Sequence, residues 1–110
     1  MIQHQITLAQ AIDYTTRFRE DPGEDMPYSE TFLASSVKAL LNQNGCHSFR
    51  IYLGRKADTR ICSVLVAVDE NGQDILPINN PELLTDDEGI ILEDAFQCPP
   101  LCPPPSPLNE

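Results

Sequence analysis

The order of apolar and polar residues predicts a helix at residues 6–21. Thr7 is followed three residues later by Gln10, which is the spacing of a capping box at a helix start. Apolar and small residues then recur at spacings of three and four, which predicts one buried face: Leu8, Ala11, Ile12, Thr15 and Phe18. Asp13, Arg17 and Arg19 are expected on the solvated face. The Asp-Pro-Gly run that follows ends the helix.

Residues 28–34 allow two interpretations. Their alternation hints at a short edge strand, and a longer helix beginning at Ser29 also fits the pattern. We favour the strand because Ser35 and Ser36 are suitable N-caps for a helix that follows. That helix is expected to end at Asn44-Gly45, a common C-cap pair.

Two longer strands follow. Residues 49–53 alternate between Phe49, Ile51 and Leu53 on one face and polar residues on the other. Residues 60–69 are apolar on both faces, which is typical of a central strand. The short connection predicts an antiparallel hairpin. Cys62 falls within an alternating row of valines and is expected to be a buried apolar residue.

The segment after the hairpin is predicted to hold two short strands and a loop. Asn71-Gly72 is a strong turn signal that should reverse the chain into a strand at 73–76. Residues 77–88 are expected to form a loop, and residues 90–92 a last short edge strand. The predicted fold is α+β, with two helices packed on one face of a small antiparallel sheet of three to five strands.

The C-terminal segment, residues 98–110, is called the tail below. It holds six of the ten prolines and two of the four cysteines. Proline fixes φ and lacks an N–H group, so the tail is predicted to run as polyproline II or as a series of turns. The predicted organisation is one α+β domain at residues 1–97 followed by this extended Pro-rich and Cys-rich tail.

Charge excludes some classes of partner. The chain carries 7 Lys and Arg against 17 Asp and Glu, a net charge of −10. This charge repels phosphate backbones and anionic bilayers, so neither a nucleic acid nor a membrane is an expected partner. Basic proteins or divalent cations are compatible, and solubility alone is an equally good reason for the charge.

The first residues show no signal peptide, and no apolar run has the length needed to cross a bilayer. We therefore expect a cytoplasmic protein with reduced thiols. A secreted chain whose leader had been removed would look the same.

Four segments together carry a resemblance: residues 6–11, 49–54, 66–74 and the tail. With its Arg-x-Tyr-x-Gly strand, its Val-Asp-x-Asn-Gly-x-Asp turn and its ending Cys-Pro-x-x-Cys-Pro…Ser-Pro-Leu, the chain resembles a family of small uncharacterised proteins common in Bacteroidota. The resemblance implies a bacterial origin and makes Cys98 and Cys102 part of the family pattern. It implies no enzymatic role, and the acidic segment 81–88 departs from the pattern.

The cysteines allow several chemistries. Cys98 and Cys102, separated by three residues, could join Cys46 and His47 around a zinc ion if the tail folds back. No other cofactor is expected. The two tail cysteines could instead form a disulfide, either redox-active in a reducing compartment or structural in an exported protein.

The tail could also be a ligand for a protein partner, because polyproline II is already ordered before binding. We expect contact residues throughout it: Pro99, Pro100, Leu101, Pro103, Pro107 and Leu108. Alternatively, the tail wraps its own domain and covers an open sheet edge. No catalytic set is evident, so the leading hypothesis is a non-enzymatic interaction module, with a metal-binding or thiol-redox module as the alternative.

Overall fold

The computed structural model describes residues 2–78, 82 and 89–110. The described residues form two helices and five strands. In chain order they are α1 Leu8–Glu20, β1 Ser29–Thr31, α2 Ala34–Leu41, β2 Ser48–Arg55, β3 Ile61–Val68, β4 Ile91–Leu92 and β5 Phe96–Cys98. The strands form two antiparallel sheets, β1-β5 and β2-β3-β4. The predicted α+β class is confirmed, with the strands divided between two sheets instead of joined in one.

Local hydrogen bonds define both ends of α1. Thr7 accepts a bond from the Gln10 N–H at 3.1 Å, and the Gln10 side chain accepts one from the Thr7 N–H at 2.9 Å, so the predicted capping box is present. The helix ends at Glu20, before the Asp-Pro-Gly run. The prediction of a buried face on this helix is wrong, because Leu8 is 62% exposed and no residue of α1 is fully buried. The other four residues of that face are half-buried: Ala11, Ile12, Thr15 and Phe18. Neither helix in the described residues has the length and apolar character to cross a bilayer.

The predicted hairpin of β2 and β3 is confirmed. The two strands pair along their full length, from Ser48 opposite Val68 to Arg55 opposite Ile61. On its other edge β3 pairs with β4, so β3 is the central strand, as its apolar faces predict. Cys62 is 5% exposed, which confirms its expected role as a buried apolar residue.

The core lies where α2 packs on the three-stranded sheet. Leu40 of α2, Leu65 and Ala67 of β3, and Ile90 form one buried cluster. The buried Gln43 joins its two sides, because its side chain donates to the Leu40 carbonyl at 3.0 Å and accepts from the Ile90 N–H at 2.9 Å. The Gln43 amide thus provides hydrogen-bond partners for two buried backbone groups, one at the end of α2 and one at the start of β4.

Helix α2 begins earlier than the sequence predicts. Leu33 is the N-cap residue, and no side chain caps the helix. Ser35 and Ser36 therefore lie inside the first turn, and the expectation that they cap α2 is wrong. Backbone bonds at this end run from Ser36 and Val37 to the Leu33 carbonyl. The helix ends at Leu41, before the predicted Asn44-Gly45 pair, although Gly45 does have a positive φ of 82°.

The turn after β3 forms as predicted, but the strand that should follow it is reduced. Gly72 has a φ of 81°, and its N–H bonds to the Asp69 carbonyl at 3.1 Å. The predicted strand at 73–76 consists of a single bridge between Val68 and Asp74. Most of the predicted 77–88 loop, at residues 79–81 and 83–88, lies outside the described residues.

Candidate interaction site

The tail begins inside a strand. Cys98, its first residue, is the last residue of β5 and lies opposite Ser29 of β1. Its carbonyl also accepts a hydrogen bond from the Tyr28 N–H at 2.7 Å. The start of the tail therefore covers the edge of β1, which is the behaviour expected of a tail that wraps its own domain.

A disulfide closes the loop of residues 98–102. Cys98 and Cys102 are bonded, with their Cα atoms 4.4 Å apart, so the expectation of reduced thiols is wrong for these two cysteines. The Leu101 N–H bonds to the Gln97 carbonyl at 2.8 Å. Arg60 lies in the connection between β2 and β3, and its guanidinium donates a hydrogen bond to the Pro99 carbonyl. The sequence predicts polyproline II or turns for this segment, and turns are observed in the structure.

The far end of the tail is held against α1. Ser106 and Asn109 close a turn through two hydrogen bonds, of 2.8 and 3.1 Å. Arg19 donates to the Leu108 carbonyl at 2.6 Å and also to the Glu110 carbonyl. Arg19 was expected on the solvated face of α1, and its half-buried contact with the tail corrects that expectation. Arg17 does lie on the exposed face, where it pairs with Asp13 at 3.0 Å.

All six contact residues predicted in the tail are exposed: Pro99, Pro100, Leu101, Pro103, Pro107 and Leu108. Leu101 is 56% exposed and Leu108 is 42% exposed. The anchoring contacts of this segment are mostly made by backbone groups. The side chains are thus available on a segment whose path is already defined.

A cleft of 720 Å³ separates the tail from α1. Phe18 of α1 and Tyr28 form its inner wall, with their rings edge to face and their centroids 6.1 Å apart. Pro103, Pro104 and Leu108 form the opposite wall, and Arg19 also lines the cleft. The lining is mainly apolar and aromatic, which is the usual character of a surface that accepts an apolar group.

The structure does not bring the four candidate zinc ligands together. Cys46 and His47 lie beside the Val68 end of β3, where the His47 N–H bonds to the Val68 carbonyl. Cys98 lies at the other end, since the neighbouring Gln97 side chain bonds to the Ile61 carbonyl. The strand between these ends spans roughly 23 Å at about 3.3 Å per residue. Among the described residues, no group of three or more His, Cys, Asp or Glu side chains could hold a metal ion.

The two remaining cysteines are free thiols in different surroundings. Cys46 is half-buried, and its thiol donates to the Ser48 carbonyl at 3.4 Å. Burial raises the pKa of the Cys62 thiol, and the carboxylates of Glu93 and Glu30 raise it further. A thiol is reactive as its thiolate, so Cys62 is the less reactive of the two.

Two arginines that hold the tail were not predicted as site residues. Arg19 and Arg60 contact it from positions 89 and 39 residues away in sequence. Both bind backbone carbonyls, which any residue offers, so no motif in the tail points to them. The polar pair Arg50 and Tyr52, which share one face of β2, instead bind Asp74 at 2.6 Å each.

Comparison of the chain with protein-family models, with curated proteins and with solved structures finds no match. The family resemblance of the four sequence segments therefore stays a prediction.

Proposed function

We propose that this protein is a non-enzymatic interaction module that binds a protein partner through the exposed side chains of its tail. The observation that carries the proposal is that the backbone of the tail is anchored to the domain while the apolar side chains of the tail are exposed. Strand β5, the Cys98–Cys102 disulfide, Arg60 and Arg19 hold the backbone, while the prolines and leucines remain exposed. A segment ordered before binding loses less conformational entropy on binding, which favours its use as a ligand.

The chemistry of this surface indicates the kind of partner. Leu101 and Leu108 offer apolar anchors, and the prolines between them offer rigid apolar surface. Aromatic-lined grooves bind such proline-rich segments. Because the chain carries a net charge of −10, a basic rim around that groove would favour association.

The test uses point substitutions, since deletion of the tail would also remove Cys98 from β5. The full chain is immobilised, partners from the source cell are captured and identified, and the affinity of the captured protein is measured by calorimetry. The double variant Leu101→Ser, Leu108→Ser is compared with Leu8→Ser, Leu33→Ser, which alters two leucines that are 62% and 58% exposed elsewhere. We expect the tail variant to bind at least about tenfold more weakly and the control variant to bind like the wild type. Equal affinities for the two variants would contradict the proposal.

The disulfide favours a second candidate, a thiol-redox module. Cys102 is exposed and Cys98 is 7% exposed, so an incoming thiolate would attack the Cys102 sulfur. A mixed disulfide would form at Cys102, and Cys98 would leave as a thiolate. A second thiol of the reductant would then resolve the mixed disulfide, leaving the protein as a dithiol and the reductant oxidised.

A redox titration separates this candidate from a purely structural disulfide. The folded protein is equilibrated with mixtures of reduced and oxidised glutathione and analysed by mass spectrometry, with Cys46→Ser as the control for thiols outside the tail. A redox module should interconvert between the two forms while its circular dichroism spectrum stays native. A disulfide that is reduced only when the protein unfolds would exclude the redox function.

A further inference from the structure

Among the residues that the structure describes, strand β2 pairs on one side only and is therefore an edge of the three-stranded sheet. In its ladder with β3, Lys56 donates to the Arg60 carbonyl at 2.9 Å, which marks a hydrogen-bonded pair. Hydrogen-bonded pairs alternate along an antiparallel ladder, so the N–H and C=O groups of Phe49, Ile51 and Leu53 point away from β3. Within the described residues, none of these groups has a backbone partner.

The same three residues carry exposed apolar side chains. Phe49 is 45% exposed, Ile51 is 54% exposed and Leu53 is 75% exposed. Phe49 lies opposite Ala67 and Ile51 lies opposite Leu65, so the row continues the apolar face that α2 covers on β3. Helix α2 packs on β3 and β4, and the apolar face extends past it onto β2. An edge strand with this character is a template for pairing with another strand.

The charge around β2 differs from that of the whole chain. Residues 48–55 contain two arginines and no carboxylate, whereas the protein carries −10. Both arginines are paired within the molecule, Arg50 with Asp74 at 2.6 Å and Arg55 with Asp25 at 3.6 Å. Two copies of β2 can therefore approach each other without bringing carboxylates of the strand face to face.

From these observations we propose that β2 pairs antiparallel with β2 of a second copy of this chain, about a two-fold axis at Ile51. In this register Ile51 faces Ile51 of the partner subunit, and Phe49 faces Leu53 of the partner subunit. Arg50 faces Tyr52 of the partner subunit, so no like charges lie opposite each other. The two three-stranded sheets join into one six-stranded sheet with both apolar rows on the same face.

The neighbouring registers are less favourable. A shift by two residues in one direction places Arg50 opposite Arg50 of the partner subunit, a like-charge pair that destabilises a ladder. A shift by two residues in the other direction places Phe49 opposite Arg55 of the partner subunit. A shift by one residue would place backbone groups that point away from β3 opposite backbone groups that point toward β3 in the other copy. The hydrogen bonds between the two copies of β2 would then be lost. The sequence of β2 therefore selects the register centred on Ile51.

The dimer should be weak and should strengthen with salt. One pair of eight-residue strands buries less than the roughly 800 Å² per partner of a standard interface, so we expect a dissociation constant of about micromolar size. The two copies repel through their net charges, and salt screens that repulsion. An acidic peptide bound to the arginines of β2 would show the opposite dependence, with binding weakened by salt.

Sedimentation velocity over a concentration series tests the proposal on the full chain. We expect the wild type to dimerise, and both Ile51→Lys and Ile51→Glu to dimerise at least about tenfold more weakly, because each places like charges together at the two-fold axis. A one-to-one mixture of these two variants should dimerise again. Ile91→Lys is the matched control, because Ile91 is 47% exposed and lies in β4 at the other edge of the sheet.

A wild type that remains monomeric at all concentrations would overturn the proposal, as would Ile91→Lys disrupting a dimer that Ile51→Lys leaves intact. Hydrogen exchange of the wild type gives a readout independent of the folding of any variant. The Phe49, Ile51 and Leu53 amides should become protected as protein concentration rises, while those of Arg50 and Tyr52 should be protected throughout. Exchange at the three outward amides that does not depend on concentration would exclude the β2 interface.

Discussion

The carboxylate of Glu30 accepts a hydrogen bond of 2.6 Å from the hydroxyl of Ser63, and this contact joins the two sheets. Glu30 lies in β1, and Ser63 lies on the edge of β3 that faces away from β2. The same carboxylate accepts a bond from the Ser63 N–H at 3.4 Å and one from the Gln97 amide at 3.1 Å. Gln97 also donates to the Ile61 carbonyl at 3.0 Å. Side chains of β1 and β5 thus occupy the edge of β3 beyond the end of β4.

Replacement of Glu30 by alanine should destabilise the protein by about 2 kcal/mol, because three donors lose their acceptor in a partly buried site. Urea unfolding followed by circular dichroism measures this change. Glu24→Ala is the control, since Glu24 is exposed and its loss should change stability by less than about 0.5 kcal/mol. Equal unfolding midpoints for the two variants would show that the contact does not stabilise the fold.

Two glycines with positive φ should differ sharply in their response to alanine. Gly45 has a φ of 82° with nothing within 4 Å of an added Cβ, so Gly45→Ala should cost only the backbone strain, about 1 kcal/mol. Gly89 has a φ of 75°, and an added Cβ would lie 2.5 Å from the Pro77 nitrogen. Gly89→Ala should therefore cost at least about 3 kcal/mol in thermal or urea unfolding. Similar costs at the two sites would mean that the chain near Pro77 relaxes freely.

Loss of the Arg19 side chain should release the end of the tail. Arg19→Ala removes the donors to the Leu108 and Glu110 carbonyls. We expect amide exchange at Leu108 and Asn109 to become at least about tenfold faster, with the rest of the protein unchanged. Arg17→Ala, on the exposed face of the same helix, should leave these amides as they are. If both variants behave alike, the contact with Arg19 does not hold the tail.

A thiol count should distinguish the four cysteines. In the native protein one thiol, Cys46, should react quickly, a second should react after unfolding, and all four should react after reduction. The Cys62 thiol should stay slow at pH about 8.5, where an exposed thiol is half ionised, because burial raises its pKa. Cys46→Ser should abolish the fast reaction. Three fast thiols in the native wild type would instead mean that the tail cysteines are not bonded to each other.

Features that depend on neighbouring residues could be predicted from the sequence alone. The capping box at Thr7 and Gln10, the β2-β3 hairpin and the central position of β3 all follow from short spacings and alternation. Each of them involves groups that the chain brings together locally or through a short turn. The start of α2 was mispredicted because backbone bonds to Leu33, and not a serine side chain, begin that helix.

Only the tertiary structure decided how distant parts of the chain meet. Composition alone predicted a tail that is rich in proline and conformationally restricted, but the sequence contains no signal for its contact with Arg19, 89 residues away. The contact between the two sheets likewise depends on Glu30 reaching Ser63, which is 33 residues away in sequence. Such contacts join a side chain to whichever partner the folded chain places beside it, so they cannot be predicted from the periodicity and spacing of the sequence. The separation of Cys46 and His47 from Cys98 and Cys102 has the same origin, since the length of β3 keeps the two pairs apart.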